Sequence, residues 1–460
     1  MEMVLHVLWV AFWGLLFLSL LVVIHEAGHY LVARAFGVRV TEFFLGLPCR
    51  FNISFKSKRH GTVFGVTPIL FGGYNRISGM GFVPEGDMAR AFQIVQREGR
   101  VRADALAKEM GISEDEAYAL LIALSDIVAI QPYFDESLGE HPSQRDYPAA
   151  FEALARDANM ATEYDSEHDF SLSGSTETGC PRPLADPAAQ LERERARTYQ
   201  GLSFLKRFAV IVAGPAVNIV FAFLLVCGTY MSVEYKVATN ENIIGEVNEG
   251  SLAEAAGIEA GDTVVSVAGN KTSDWVEVAE ALDAARTAGT DFTVVLERGG
   301  KTVEAVVDMP EGEEVELIGV IAKTEPYHLT FAEAASATLE YASYVGTTVM
   351  TLLMPQHTME VLENSSSVVG ISVMVAEAVD SGILDVLAII AAVSMSLGFM
   401  NLLPIPPLDG GRIMMEIAGL VMRRPVPARI ARGLNYAGLA FFIFIFTFAL
   451  RNDVLRFILT

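Results

Sequence analysis

The chain has 460 residues, 52% hydrophobic and only 19% charged, a balance too apolar for one soluble domain and suited to an integral membrane protein with polar insertions. Its formal net charge of −23 argues against a sequence-independent grip on nucleic acid. Cys49, Cys180 and Cys227 are scattered, so they suggest neither a disulfide framework nor a thiolate metal site.

The first predicted element is an apolar run from about Val4 to Ala33, long enough to cross a bilayer. Near its end stand His25, Glu26, Ala27, Gly28 and His29, a His-Glu-x-x-His pattern. On a helix His25 and His29 lie one turn apart on one face, so their imidazoles can converge on one metal with Glu26 beside it. Ionisable groups at membrane depth are costly and usually functional. A histidine pair satisfied by packing in a helix bundle is the alternative, and the complete motif with its Glu favours the metal. No small-residue cleavage site precedes the motif, so the segment is read as a retained span and not as a removed signal peptide.

After this span, Thr62 to Ser78 reads as a short β-hairpin or loop dipping toward the site, with Pro68 in its middle and Gly72 and Gly73 allowing close backbone approach. An ordinary surface hairpin is the plainer reading. Ala103 to Met110 and Ser113 to Asp126 are predicted helices around a turn at Gly111, the second opened by a Ser113 to Glu116 capping box. Their order resembles a helix-turn-helix or winged-helix domain, but Glu114, Asp115 and Glu116 would face DNA phosphates, which favours a protein partner over nucleic acid. From Pro132 to about Arg197 the acidic, Ser- and Pro-containing stretch reads as a mobile linker, with His141 and His168 solvated.

A second span covers about Phe208 to Met231. Ile243 to Met309 alternates strands with short helices and turns at Gly299-Gly300, in an order resembling the PDZ domains of bacterial proteases. Such a domain adds a peptide strand beside a helix, or serves only to restrict access. Phe331 to Met354 is apolar on more than one face and lies along the membrane or forms another buried helix. The third and fourth spans are placed at about Leu384 to Leu403 and Leu434 to Leu450. His6, His60, His328 and His357 lack a motif.

Where the third span ends, Asn401 to Gly411 inserts Pro404, Pro406, Pro407 and Asp409 into an apolar segment. Broken helix in hydrocarbon is tolerated only where protein or a water-filled cavity satisfies the freed backbone, so the break predicts a polar pocket. Asp409 is the natural third metal ligand, because catalytic zinc takes three protein ligands and leaves one position open. A helix-ending turn at the membrane surface is the alternative. Arg34, Arg39, Arg50, Lys56, Lys58 and Arg59 follow the first span, Lys206 and Arg207 precede the second, and Arg412, Arg423, Arg424, Arg429 and Arg432 separate the third from the fourth. The positive-inside rule then puts these flanks and the metal motif toward the cytoplasm, and the region from Ile243 to His328 outside.

These motifs together resemble the site-2 proteases, intramembrane zinc metalloproteases, and especially the bacterial regulator-of-sigma-E protease branch. The likeness rests on His25 to His29, Phe71-Gly72-Gly73-Tyr74, Ala213 to Asn218, the PDZ-like segment and Asn401 to Gly411, with Ser366, Gly370 and Ile371 before the third span. It implies an α-helical integral membrane protein of about four core transmembrane helices. To these it adds a membrane-associated β-hairpin, an extracytoplasmic α+β PDZ-like domain and, as this chain's own departure, a cytoplasmic helical insertion. The expected division is 1–87, first span and hairpin; 88–131, insertion; 132–200, acidic flexible linker; 201–235, second span; 236–325, PDZ-like domain; 326–383, amphipathic segment; and 384–460, third and fourth spans.

The resemblance further implies Zn2+ held by His25, His29 and Asp409, Glu26 as catalytic base, and substrate contacts at Asn401, Gly72 and Gly73. It implies a zinc metalloendopeptidase of a bacterial plasma membrane cutting the membrane segments of single-span proteins, such as anti-sigma factors or leftover signal peptides. Lipid, a peptide ligand of the PDZ-like domain and a protein partner of the insertion complete the expected partners. A catalytically silent PDZ-containing membrane adaptor is the alternative, against which the intact His25, Glu26, His29 and Asp409 argue. A transporter would use broken helices too, but no paired inverted repeat is seen.

Overall fold

The structure, a computed structural model, describes all residues except 1, 50, 71, 82–85, 141–146, 311–314, 316, 355, 357–358, 360–365, 425 and 458–460. Arg50, Phe71, His141 and His357, named above, lie outside the described residues. Among the described residues, four helices are long and apolar enough to cross a membrane: Leu5–Ala35, Phe204–Ser232, Ile383–Asn401 and Arg429–Leu455. The four expected spans fall on them, and the chain is a multi-pass membrane protein. It divides into two compact units, Met1–Val226 with Ala337–Thr460, and Cys227–Ser336.

In the first unit, α1 (Glu2–Ala35) leads into a four-stranded sheet of β1 (Val40–Leu45), β2 (Ile53–Lys56), β3 (Val63–Val66) and β4 (Gly73–Ile77) in the order β2-β3-β1-β4. This corrects the hairpin expected over Thr62 to Ser78. β3 and β4 do not pair with each other, because β1 lies between them, parallel to β3 and antiparallel to β4. The aromatic content of β1 explains its central place: Phe44 is buried and stacks on Tyr74 of β4 at 5.4 Å between ring centres. Ser19 of α1 donates to the Leu70 carbonyl at 2.7 Å, pinning the approach to β4 against the helix.

The insertion follows as α2 (Met88–Glu98), β5 (Arg100–Arg102), α3 (Ala103–Met110), α4 (Glu114–Asp126), β6 (Ile130–Tyr133) and β7 (Ala150–Ala153). Its strands form a three-stranded sheet in the order β5-β7-β6, and helix-strand-helix-helix-strand-strand is the sequence of elements in a winged helix. The capping box forms as expected, with Glu116 N–H donating to Ser113 Oγ at 3.3 Å and Ser113 N–H to Glu116 Oε2 at 3.0 Å. The segment expected to be a flexible linker over 132–200 is instead built into this body. Phe151 of β7 and Leu191 of α5 (Pro187–Ala196) belong to the same core as Phe92, Leu106, Leu121 and Leu124.

The reason is a set of charges that face inward. Arg39, fully buried just after α1, makes a two-pronged pair with Asp165 (2.8 and 2.7 Å) and a 2.6 Å bond to Glu194. Arg156, also fully buried, donates to the other Glu194 oxygen at 2.7 Å. Residues that read as a solvated acidic tract are therefore the docking core between the insertion and the end of α1.

α6 (Phe204–Ser232) closes this part of the unit. The second unit, by itself, comprises β8 (Tyr235–Ala238), β9 (Ile244–Val247), α7 (Leu252–Ala255), β10 (Thr263–Val267), β11 (Asn270–Lys271), α8 (Trp275–Ala288), β12 (Phe292–Arg298), β13 (Lys301–Val307), β14 (Val320–Ala322) and β15 (Thr324–Tyr327). Its main sheet runs β11-β10-β12-β13, with β14 on β9 and β15 on β8 as two-stranded ladders. Val264, Val267, Val278, Leu282, Val294 and Leu296 fill its core. The β12–β13 hairpin turns at Gly299 and Gly300, both at positive φ as a two-residue turn of this hand demands.

The first unit resumes within α9 (Phe331–Thr351), where Val345 and Val349 pack with Ala222, Met395 and Leu403. α10 (Val368–Ser381) lies along α1, and its N-terminus is capped by the buried Asp453, which accepts from Ser367 and Gly370 N–H at 2.7 and 2.9 Å. α11 (Ile383–Asn401), α12 (Asp409–Met422) and α13 (Ala428–Phe457) complete the chain, with α11 and α12 separated by the proline-rich break.

Candidate metal centre

Three helices contribute to one polar cluster in this apolar surround. His25 and His29 project from the same face of α1 and are 7% and 8% exposed, shielded enough that water does not compete freely for their nitrogens. The break after α11 brings Asp409 to them as the first residue of α12, where a helix N-terminus favours a carboxylate. Asp409 Oδ2 lies 3.0 Å from His25 Nε2 and 3.3 Å from His29 Nε2, and the two Nε2 atoms are 3.1 Å apart.

The third side of the cluster is backbone. His29 Nδ1 donates to the Val210 carbonyl of α6 at 2.7 Å, which assigns the proton to Nδ1 and leaves Nε2 of the neutral ring as a lone pair. Three atoms able to bind a metal thus converge at separations of 3.0–3.3 Å. Tetrahedral zinc with ligand bonds of about 2.0–2.2 Å sets its donors roughly 3.3 Å apart, so the donor set fits this metal. Among the described residues it is the one group of three or more His, Cys, Asp or Glu side chains placed to hold a metal ion.

Small residues make the convergence possible. A Cβ at Gly28 would run into the Ala213 carbonyl of α6, and one at Gly214 would stand 2.8 Å from His25 Nε2 and closer still to His29 Nε2. At Gly410 and Gly411 it would strike the Leu403 carbonyl and the Pro406 nitrogen, which is why glycines follow Asp409 where the helix folds back on its own approach loop. A Gly214→Ala protein should therefore bind zinc, and cut, about 10²-fold less well, since a displacement near 1 Å at reacting groups has that cost. Metal content after dialysis against a weak chelator checks this, and wild-type retention would show that the site yields without loss.

The remaining sequence-predicted residues are nearby in the fold. Glu26 is half-buried beside His25, and its backbone carbonyl accepts from Asn75 Nδ2 of β4 at 2.9 Å. Gly72 and Gly73 lie against Val22 and Val23 of α1, one turn before the motif, and Gly72 is at positive φ. Asn401 is the last residue of α11, at the start of the loop to Asp409. Sequence reasoning did not single out Asn75, the Val210 carbonyl or Gly214 for a part in the site. Only the small Ala213-Gly214 pair carries a readable signal, since small residues let membrane helices approach closely.

The model of peptidase family M50 matches residues 13–445. The regulator of sigma-W protease RasP of Bacillus subtilis is 24% identical over 443 residues, covering 95% of this chain and 96% of that protein. The zinc metalloprotease RasP of Geobacillus kaustophilus is 25% identical over 453 residues, with the same coverage. A match running from within the first span into the fourth takes in both separated halves of the cluster, so the chain belongs to peptidase family M50, the zinc metalloendopeptidases of site-2 protease type.

Proposed function

We propose that His25, His29 and Asp409 hold the zinc ion, that Glu26 is the proton carrier, and that the bond cut lies within the membrane segment of single-span proteins. The observation that carries this reading is the buried triangle of donor atoms within apolar helices. Zinc held there supplies Lewis acidity toward a peptide carbonyl and acidifies water at neutral pH. Glu26, next to His25, takes the proton of the attacking water and returns it to the leaving nitrogen. The Val210 carbonyl keeps His29 in the tautomer that presents Nε2.

A helical substrate must first be unwound, because its scissile carbonyl is hydrogen-bonded within the helix. β4 supports a way to hold the unwound chain. It is an edge strand, paired on one side by β1, and Asn75 fastens it to the backbone of Glu26. Strand addition along this edge satisfies the substrate backbone beside the catalytic groups, with Gly72 and Gly73 allowing close approach and Asn401 contributing from the end of α11.

The cationic flanks support a bacterial plasma-membrane protein with the metal centre toward the cytoplasm and the 236–325 PDZ-like domain outside, where it binds a trimmed peptide end or limits access. Anti-sigma factors and leftover signal peptides fit the substrate class. For the 88–131 insertion the reading remains a protein partner and no nucleic acid: α4 opens on three acidic residues and buries Ala117, Leu120, Leu121 and Leu124 in the core. The test is purified protein in detergent or lipid, its bound zinc measured and its cleavage of single-span helical substrates followed with and without chelator. Cleavage that stops on chelation and returns with zinc supports the reading; zinc-loaded protein that leaves a panel of such substrates intact sinks it in favour of an adaptor.

A further inference from the structure

We propose that Tyr199 and Glu416 form a positioning relay that couples the seating of the 88–198 insertion to the placement of Asp409. The inference rests on the reading of Asp409 as a zinc ligand. Glu416 is seven residues beyond Asp409 in α12, two turns along the same face. Both of its carboxylate oxygens are engaged from outside the helix. Tyr199 OH donates to Oε1 at 3.0 Å, and Arg207 Nε, near the start of α6, faces Oε2 at 3.0 Å as an ion pair.

Tyr199 is buried and belongs to the path by which the chain leaves the insertion. Its N–H donates to the Ser78 carbonyl just beyond β4 at 2.8 Å. Immediately before it, Arg197 donates to Asp165 at 2.7 Å and accepts from Arg39 N–H at 3.1 Å, while Glu194 joins Arg39 to Arg156. The phenol therefore hangs between the ion core of the insertion and the edge strand. Burial, with the Glu416 charge beside it, holds the Tyr199 hydroxyl well above its ordinary pKa, so it stays a donor.

One end of α12 is set by Gly410 and Gly411 against the Leu402–Pro406 loop, and next to it Ile413 packs on the apolar cluster that contains Tyr199, so a polar hold further along fixes the direction of the helix. Tyr199 and Arg207 supply that hold at Glu416. Neither touches reacting atoms, so both act through Asp409. Unseating the insertion withdraws Tyr199 and lets the third zinc ligand drift.

The experiment uses full-length protein in detergent micelles, as wild type, Tyr199→Phe, Glu416→Gln and Tyr118→Phe. Tyr118 is a control, because its hydroxyl donates to the Tyr147 carbonyl within the insertion and away from α12. Zinc release to a chelator and the visible spectrum of the cobalt-substituted protein are recorded, together with kcat and KM on a cleavable substrate. The expected result is zinc release faster on the order of tenfold in Tyr199→Phe and Glu416→Gln, a shifted cobalt spectrum, and lower kcat at unchanged KM, with Tyr118→Phe like wild type. Wild-type zinc release and spectrum in Tyr199→Phe overturn the relay, as does equal acceleration in Tyr118→Phe. A wild type that binds zinc but cuts nothing defeats the protease reading while the release rates still decide the relay; release indifferent to Asp409→Ala defeats the ligand assignment and the relay with it.

Discussion

A Glu26→Gln protein is expected to hold zinc as wild type does and to cut about 10²–10⁴ times more slowly, the usual contribution of a positioned proton carrier. The geometry separates the two properties. The donor triangle is made by His25, His29 and Asp409, and Glu26 is no part of it. The fold anchor at this residue is its backbone carbonyl, held by Asn75, which a change of side chain leaves in place. Gln has nearly the same shape but cannot accept a proton at neutral pH. Zinc quantified by atomic absorption, with turnover measured on the same preparation, gives the answer. Loss of metal and activity together would make Glu26 part of the metal's support, and unimpaired cutting would remove it from the mechanism.

Glu194→Gln should loosen the insertion by about 3–5 kcal/mol, because it strips the carboxylate from between two fully buried guanidinium groups. The single amide oxygen of Gln can serve one guanidinium but carries no charge to balance either, and Arg156 keeps the Met160 and Ala129 carbonyls and the Phe92 ring. Burial alone would raise the Glu194 and Asp165 carboxyl groups, but the Arg156 and Arg39 charges hold Glu194, and Arg39 holds Asp165, below the ordinary range. Groups depressed in the folded state contribute fully above their unfolded pKa values, near 4, and lose that contribution as pH falls through the folded values. Protection factors for amide exchange over residues 150–198, taken relative to the intrinsic rate at each pH, should thus be high and flat from neutral pH down to about 5 and fall below about 4. In Glu194→Gln they should be low at neutral pH already. Unchanged protection in the variant would mean that hydrophobic packing of Phe151 and Leu191 alone seats the segment.

The parts legible in the sequence were those whose signal is local. His25 and His29 announce themselves by helical spacing, the spans by unbroken apolar length, and the α11–α12 break by its prolines. What was hidden depends on partners remote along the chain. Thr62 to Ser78 looks like a hairpin because its two strands are neighbours in sequence, whereas β1, 21 residues earlier where Glu42 is in register with Val63, takes the place between them. The 132–200 stretch looks solvated because charge usually is. Arg39, Arg156, Asp165 and Glu194 must be brought together before their charges cancel, and no spacing rule connects them. Asn75 and the Val210 carbonyl were missed for the same reason, since a backbone acceptor has no letter of its own.

The split origin of the donor triangle bears on how the protein is made. His25 and His29 leave the ribosome long before Asp409, in a helix whose partner face on α6 does not yet exist. Until then two histidines face each other without the carboxylate that completes the set. If the proposed ligand set is right, a peptidase embedded in the same bilayer as its own nascent spans is in this way unarmed during assembly, and its metal becomes a report that α12 has arrived.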